Sequence, residues 1–304
     1  MIPLLIAGHG TADADGAAQF RQFVTRVSGR LEVPVAGGFI ELSAPPLADA
    51  MAYLAAGGAR RIAAVPLMLV AAGHAKGDIP GALARERVRH PGLTVAYGRP
   101  LGPHPTLLAL LRERLVAAGV DERTTVLMVG RGSTDPDGNA EVAKAARLLA
   151  ETTPVAGVEY AFVSLAQPGV PAGLDRCHRL GAQRIVVLPY FLFTGVLPRR
   201  VADQAASWGA AHPDVDLAAA EVIGDCDGLA SVVAERYHEA LAGDIRMNCD
   251  SCVYRVAMPR HEHRVGAAQL PHHHPDDPHQ HGQHGHGQHG HGQHGHGHPH
   301  APVH

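Results

Sequence analysis

The chain writes one pattern twice. LLIAGHGTAD, Leu4 to Asp13, returns as VLMVGRGSTD, Val126 to Asp135, and setting His9 on Arg131 gives a displacement of 122 residues. The parallel continues for the rest of the unit. FIELSAPPL (Phe39 to Leu47) is answered by FVSLAQPGV (Phe162 to Val170), RRIAAVPLML by QRIVVLPYFL (Gln183 to Leu192), and LTVAYG by VDLAAA (Val215 to Ala220). A repeat of about 120 residues is too long for a solenoid, whose units run to roughly 20–50 residues. Two pseudo-symmetric lobes are expected instead, with a seam near Gly119 to Arg123.

Within each unit, short apolar runs alternate with helical spacing. The first unit carries IPLLIA (Ile2 to Ala7), VPVAGGFI (Val33 to Ile40), RIAAVPLML (Arg61 to Leu69) and LTVAYG (Leu93 to Gly98). Between the first two lie Phe20, Phe23, Val24 and Val27, at the three-to-four spacing of one helix face. Strand and helix in alternation predict an α/β fold, each lobe a parallel sheet flanked by helices. The strands are apolar throughout rather than alternating, which fits burial on both faces. The resulting division is 1–120, 121–245 and a tail from 246 to 304.

Composition removes several functions. Aromatics make up 4% of the chain and the net charge is −3 without a dense Lys/Arg block, so neither base stacking nor phosphate binding is favoured. No apolar run approaches the roughly 18–20 residues of a membrane span. The N-terminus lacks the basic and cleavable features of a signal peptide, and four cysteines are too few for a disulfide scaffold, so a cytoplasmic location is expected. GHG and GRG leave G-x-G-x-x-G incomplete, which weakens a dinucleotide-binding reading.

In open parallel sheets, ligands bind beyond the carboxyl ends of the strands. His9 follows the first strand, Glu41 ends the second, and His74 follows the third in LMLVAAGHAKGDIP. Each has a plain structural reading as a turn or helix-end residue. The second copy argues otherwise: it keeps the scaffold and carries Arg131, Ser164 and, to within a residue, Val196 at the matching positions. Three groups that served folding alone would not all be expected to vanish from the copy. They mark the first lobe as the one with chemistry.

AGHGT, GFIELSAPPL and VPLMLVAAGHAKGDIP together resemble the sirohydrochlorin chelatases of cobalamin and siroheme synthesis, whose long form looks like two fused copies of a short, dimer-forming enzyme. The resemblance covers residues 1 to about 243. It implies two similar lobes facing a cleft, insertion of a divalent metal into a sirohydrochlorin-type tetrapyrrole, and active-site roles for His9, His74 and Glu41. Imidazoles titrate near neutrality and suit borderline metals such as Co2+, Fe2+ and Ni2+. His9 and His74 are therefore expected to bind metal and accept protons, with Glu41 as a further ligand or proton relay. Cobalt insertion leads, iron insertion is the nearest rival, and nickel follows. A non-catalytic metal-storage protein is the reading from another class. Lys76, Arg131, Arg199 and Arg200 fall near strand ends and are candidates to pair with substrate carboxylates.

The remainder of the chain changes character. MNCDSC places Cys249 and Cys252 at C-x-x-C spacing, and the similar M-x-C-x-x-C of the long chelatases is associated with an iron–sulfur cluster. A [4Fe–4S] centre usually takes four thiolates, and Cys177 and Cys226 lie far off in sequence. A cluster shared between two chains, tail histidines as ligands, and a simple redox pair all remain open, as does the choice between a monomer and a dimer. Sixteen of the 23 histidines lie from His261 onward, in a Gly- and Gln-rich tail with too few apolar residues to order itself. Such a tail is expected to bind metal ions, as a buffer or as a passive feature.

Overall fold

The computed structural model describes residues 1–244 and 262–267. Strands β1 (Leu4–Gly8), β2 (Val35–Phe39), β3 (Arg61–Pro66) and β4 (Thr94–Tyr97) form a parallel sheet in the order β2-β1-β3-β4. The second copy repeats it with β5 (Thr125–Gly130), β6 (Gly157–Phe162), β7 (Arg184–Pro189) and β8 (Asp216–Ala219), in the order β6-β5-β7-β8. The connecting helices are α1 (Ala14–Arg30), α2 (Leu47–Ala56), α3 (Ile79–Arg89), α4 (Pro105–Ala117), α5 (Pro136–Thr152), α6 (Val170–Arg179), α7 (Val196–Ala211) and α8 (Asp227–Ala242).

The apolar strands bury both faces, as their composition predicts. In β1, Leu4 and Ile6 enter a core shared between the two sheets, while Leu5 and Ala7 enter an outer core beneath α2 and α3. In β5, Val126 and Met128 face the shared core, and Leu127 and Val129 face the outer one beneath α6 and α7. The period of two along a strand thus divides one run of hydrophobic residues between two cores.

One feature adds to the sequence reading of two pseudo-symmetric lobes. The last helix of each unit crosses to the other. α4 packs on α5 and β7 of the second unit, and α8 packs on β3, β4 and α1 of the first. Arg236 of α8 is 1% exposed and its guanidinium donates to the carbonyls of Pro100 (3.1 Å) and Leu101 (2.8 Å). The Tyr237 hydroxyl donates to the Ile2 carbonyl at 2.6 Å. The repeats at 1–120 and 121–245 are each covered by a helix of the other, and the two crossing helices also pack on each other.

Candidate functional site

The strand ends of the first unit are brought together by sheet pairing that outlasts the strands. Ile40 N donates to Gly8 O (3.0 Å) and Glu41 N to His9 O (3.1 Å), so His9 and Glu41 sit side by side just beyond β1 and β2. Two glycines make this approach feasible. A Cβ on Gly8 would lie 2.7 Å from the Phe20 ring, and Gly10, at φ +108°, would place one 1.8 Å from the Glu41 carbonyl oxygen. Leu42 then turns the chain with φ 63°, a conformation that L-residues seldom adopt and that clusters at functional sites.

His74 arrives from the third strand. After β3 the chain runs to a single π-helical turn, His74–Asp78, which leads directly into α3; such turns recur at functional sites. The Tyr97 hydroxyl, pushed up by burial and so held as a donor, binds the Ala75 carbonyl at 2.7 Å. The His9 and His74 rings meet edge to face, with centroids 4.2 Å apart and planes at 81°.

Nitrogen and oxygen atoms of His9, Glu41 and His74 all lie within 4.8 Å of one another, and among the described residues they are the group of three so placed. His9 Nε2 is 3.1 Å from Glu41 Oε1, and His9 Nδ1 is 2.9 Å from Gly10 O. His74 Nδ1 is 2.7 Å from Asp78 Oδ2. A carboxylate accepts, so the proton belongs on His74 Nδ1 and the lone pair on Nε2 is left for a metal. Two imidazoles and a carboxylate form a donor set suited to a divalent borderline metal, with coordination positions left open.

His9 and His74 line a cleft of about 330 Å³ that both units wall. Phe20, Phe39, Leu67 and Leu69 come from the first, and Tyr190 and Leu197 from the second, giving largely apolar walls. Arg131 lines the cleft, as do Ser133 and Asn139. At the second unit's strand ends the backbone is the same: Ser164 N donates to Arg131 O (3.0 Å), Gly132 has φ +87°, and Leu165 repeats the positive φ of Leu42 at 60°. The displacement between β3 and β7, from Arg61 to Arg184, is 123 residues, which sets Leu197 rather than Val196 against His74.

Three of the four basic candidates are not brought into the cleft. Lys76 Nζ is buried between Asp135 Oδ2 (2.9 Å) and Asp137 Oδ2 (2.8 Å) at the start of α5. Burial alone would lower its pKa; hydrogen bonds to Asp137 and Asp135 outweigh that and raise it. Arg199 binds Asp13 and Asp15 at the start of α1. Arg200 does not line the cleft either. Sequence reading placed all three by their own strand ends, whereas the partners of Lys76 and Arg199 come from the other unit. The visible signal was D-x-D in both copies, Asp13/Asp15 and Asp135/Asp137, with a basic residue answering each.

Cys249, Cys252 and nearly all of the His-rich tail lie outside the described residues. Cys177 is buried in the outer core of the second unit, and burial pushes its thiol up to about 12, which holds it protonated at neutral pH. That does not suit a thiolate ligand. Cys226 is half-buried at the N-cap of α8.

The CbiX family model matches this chain twice, over residues 3–118 and 125–240. The chain belongs to the CbiX family. Its two matches coincide with the two sheets, and the triad lies wholly in the first. The chain is 35% identical over 268 residues to a sirohydrochlorin cobaltochelatase of Priestia megaterium, covering 86% of this chain and 87% of the relative. It is 33% identical over 245 residues to a sirohydrochlorin ferrochelatase of the same organism, covering 80% and 91%. Among solved structures, SirB from Bacillus subtilis with Fe3+ superposes with a TM-score of 0.71 at 28% identity, covering 80% of this chain and 97% of SirB. The shared fold is that of the chelatases.

Proposed function

We propose that this CbiX protein is a sirohydrochlorin chelatase that inserts cobalt in cobalamin synthesis. The observation that carries the reading is the convergence of His9, Glu41 and His74, whose ligand atoms lie within 4.8 Å of one another, with both histidines on the wall of a cleft shared by the two units. Metal is here a substrate, which has to be held without being trapped. Three ligands with open positions achieve that, and a closed four-ligand site would not.

Insertion requires two pyrrole N–H protons to leave as the cation passes to the macrocycle. Imidazole nitrogens and a carboxylate at the metal position are proton acceptors within reach of that transfer. Both ring nitrogens of His9 face oxygens, Gly10 O and Glu41 Oε1, so a cation entering between His9 and Glu41 displaces a proton. The apolar walls suit a flat macrocycle, and Arg131 on the second unit's side is the candidate to pair with one of its carboxylates. The Arg131 position thus exchanges a ligand for a substrate contact.

Iron insertion for siroheme synthesis is the second reading, since identity to the two Priestia relatives differs by only two percentage points. The donor set suits both metals and nickel as well. Purified protein mixed anaerobically with sirohydrochlorin and cobalt, iron or nickel, and followed by tetrapyrrole absorbance, tests the assignment. Cobalt is expected to give many turnovers per protein at the highest rate. Stoichiometric metal uptake without turnover would instead indicate a storage protein.

The remaining elements of the proposal are a monomer acting in the cytoplasm, with the tail supplying metal at low concentration. No helix among the described residues is long and apolar enough to cross a membrane. A [4Fe–4S] cluster on Cys249 and Cys252 would draw its other ligands from the tail or a second chain, because Cys177 does not fit the role. Truncation after Ala257 is expected to spare insertion at saturating cobalt.

A further inference from the structure

The loop that carries His74 is fastened at two points by the opposite unit. Before the histidine, Ala71 N donates to Glu141 Oε2 of α5 at 2.6 Å. After it, Lys76 is held by Asp135 and Asp137. The second unit repeats this arrangement in reverse. Thr194 N donates to Gln19 Oε1 of α1 at 3.0 Å, and Arg199 binds Asp13 and Asp15. Gln19 and Glu141 are 122 residues apart, the displacement of α1 from α5, and Ala71 and Thr194 are 123 apart, the displacement of β3 from β7.

These two fastenings are geometrically equivalent and chemically unequal. The loop held by Gln19 presents Leu197 at the position where the loop held by Glu141 presents His74. The anchor is also stronger on the His74 side. There the acceptor is a half-buried carboxyl at the shorter distance, and the accompanying cation is 4% exposed, whereas Arg199 is 53% exposed. A ligand on a loop needs its backbone fixed, because small errors of placement at a metal are costly.

We propose that Glu141 is a positioning residue for metal insertion, holding the His74 loop in place from the other unit. The inference rests on the chelatase reading. Glu141 does not line the cleft; it acts through the Ala71 amide, three residues before His74.

The test compares Glu141→Ala, Glu141→Gln and Gln19→Ala in the full chain. Insertion rates are measured against chelator-buffered free cobalt and, separately, against sirohydrochlorin, with thermal midpoints recorded for each protein. Glu141→Ala is expected to lose about ten-fold in kcat/KM for cobalt, the lower end of what outer partners of metal ligands cost. Its KM for the tetrapyrrole should stay within about two-fold. Glu141→Gln restores an acceptor of the kind already used at Gln19, and is expected to recover most of the loss. Gln19→Ala, which removes the equivalent bond, should leave the cobalt parameters within about two-fold.

Equal losses in Glu141→Ala and Gln19→Ala would overturn the proposal and mark both as plain bonds between lobes. So would an unchanged Glu141→Ala, or a failure of Glu141→Gln to recover. If Glu141→Ala does not fold, Glu141→Met, which fills the space without an acceptor, is judged by the same criteria. Absence of insertion by the unmodified protein with every metal would instead overturn the chelatase reading itself.

Discussion

His74 Nδ1 meets Asp78 Oδ2 at 2.7 Å, one turn further along the same π-helical segment. The carboxylate fixes which nitrogen bears the proton, and so which one keeps a lone pair for the metal site proposed with His9 and Glu41. The sequence spacing H-x-x-x-D encodes this contact locally, before any tertiary structure is considered. Asp78→Asn permits the amide to donate to Nδ1 and so favours the other tautomer. It is expected to lower kcat/KM for cobalt about 10- to 100-fold, the range typical of such partners. Initial insertion rates at several cobalt concentrations measure it.

Lys76 is held in a buried ion pair with Asp135 and Asp137. Removing its charge strands two carboxylates that are 1% and 4% exposed. Lys76→Met should therefore cost about 3–5 kcal/mol of folding stability, the usual penalty for breaking a buried pair from one side. Denaturant unfolding at pH 7 gives the number.

The pH dependence of that contribution follows from its direction. Lys76 has a folded pKa raised above the ordinary lysine value, so it stabilises fully below about pH 10.4 and the contribution fades as pH climbs through the folded value. Unfolding curves of the unmodified protein and Lys76→Met should hence stay apart at neutral pH and converge only in strong alkali.

Arg131 lines the cleft in the place that His9 occupies in the first unit. If it pairs with a substrate carboxylate, Arg131→Ala removes a charged hydrogen bond of about 1.5–3 kcal/mol, or roughly ten-fold or more in affinity. The expected result is a raised KM for sirohydrochlorin with the KM for cobalt little changed. Steady-state kinetics with each substrate varied in turn separate the two.

Gly10 and Gly132 repeat one backbone solution, φ +108° and +87°, each with a carbonyl oxygen 1.8 Å from where a Cβ would sit. Alanine at either should destabilise by more than the roughly 1–3 kcal/mol of conformational strain alone. Thermal midpoints should fall together. Only Gly10→Ala also displaces His9 from Glu41, so it should lose cobalt affinity beyond the loss of stability.

Much of the architecture was legible because it is local. Near-continuous apolar runs at β1, β3, β5 and β7 announced buried parallel strands, and the copy beginning at Val126 announced a second sheet. The strand-end rule brought His9, Glu41 and His74 together from positions 65 residues apart, since β1 lies between β2 and β3. What stayed hidden depends on the other unit. Nothing in the helical pattern of α4 or α8 says that each covers its neighbour's sheet. Lys76 and Arg199 read as candidate substrate contacts because Asp135 and Asp13 are far off along the chain. Glu141 carries no signal in the sequence, being one acid on an amphipathic helix. The repeat itself held the missing signal, in the pairing of D-x-D with a distant cation in both copies.

The most direct test of the account is the rate of cobalt insertion into sirohydrochlorin by His9→Ala, His74→Ala and the unmodified protein, followed by tetrapyrrole absorbance under anaerobic conditions. With two of the three proposed ligands being imidazoles, each substitution is predicted to slow insertion at least about 100-fold, the upper end of the losses seen for the outer partners of ligands, with thermal midpoints little changed. Insertion at the unmodified rate in either variant would contradict the assignment of the metal site.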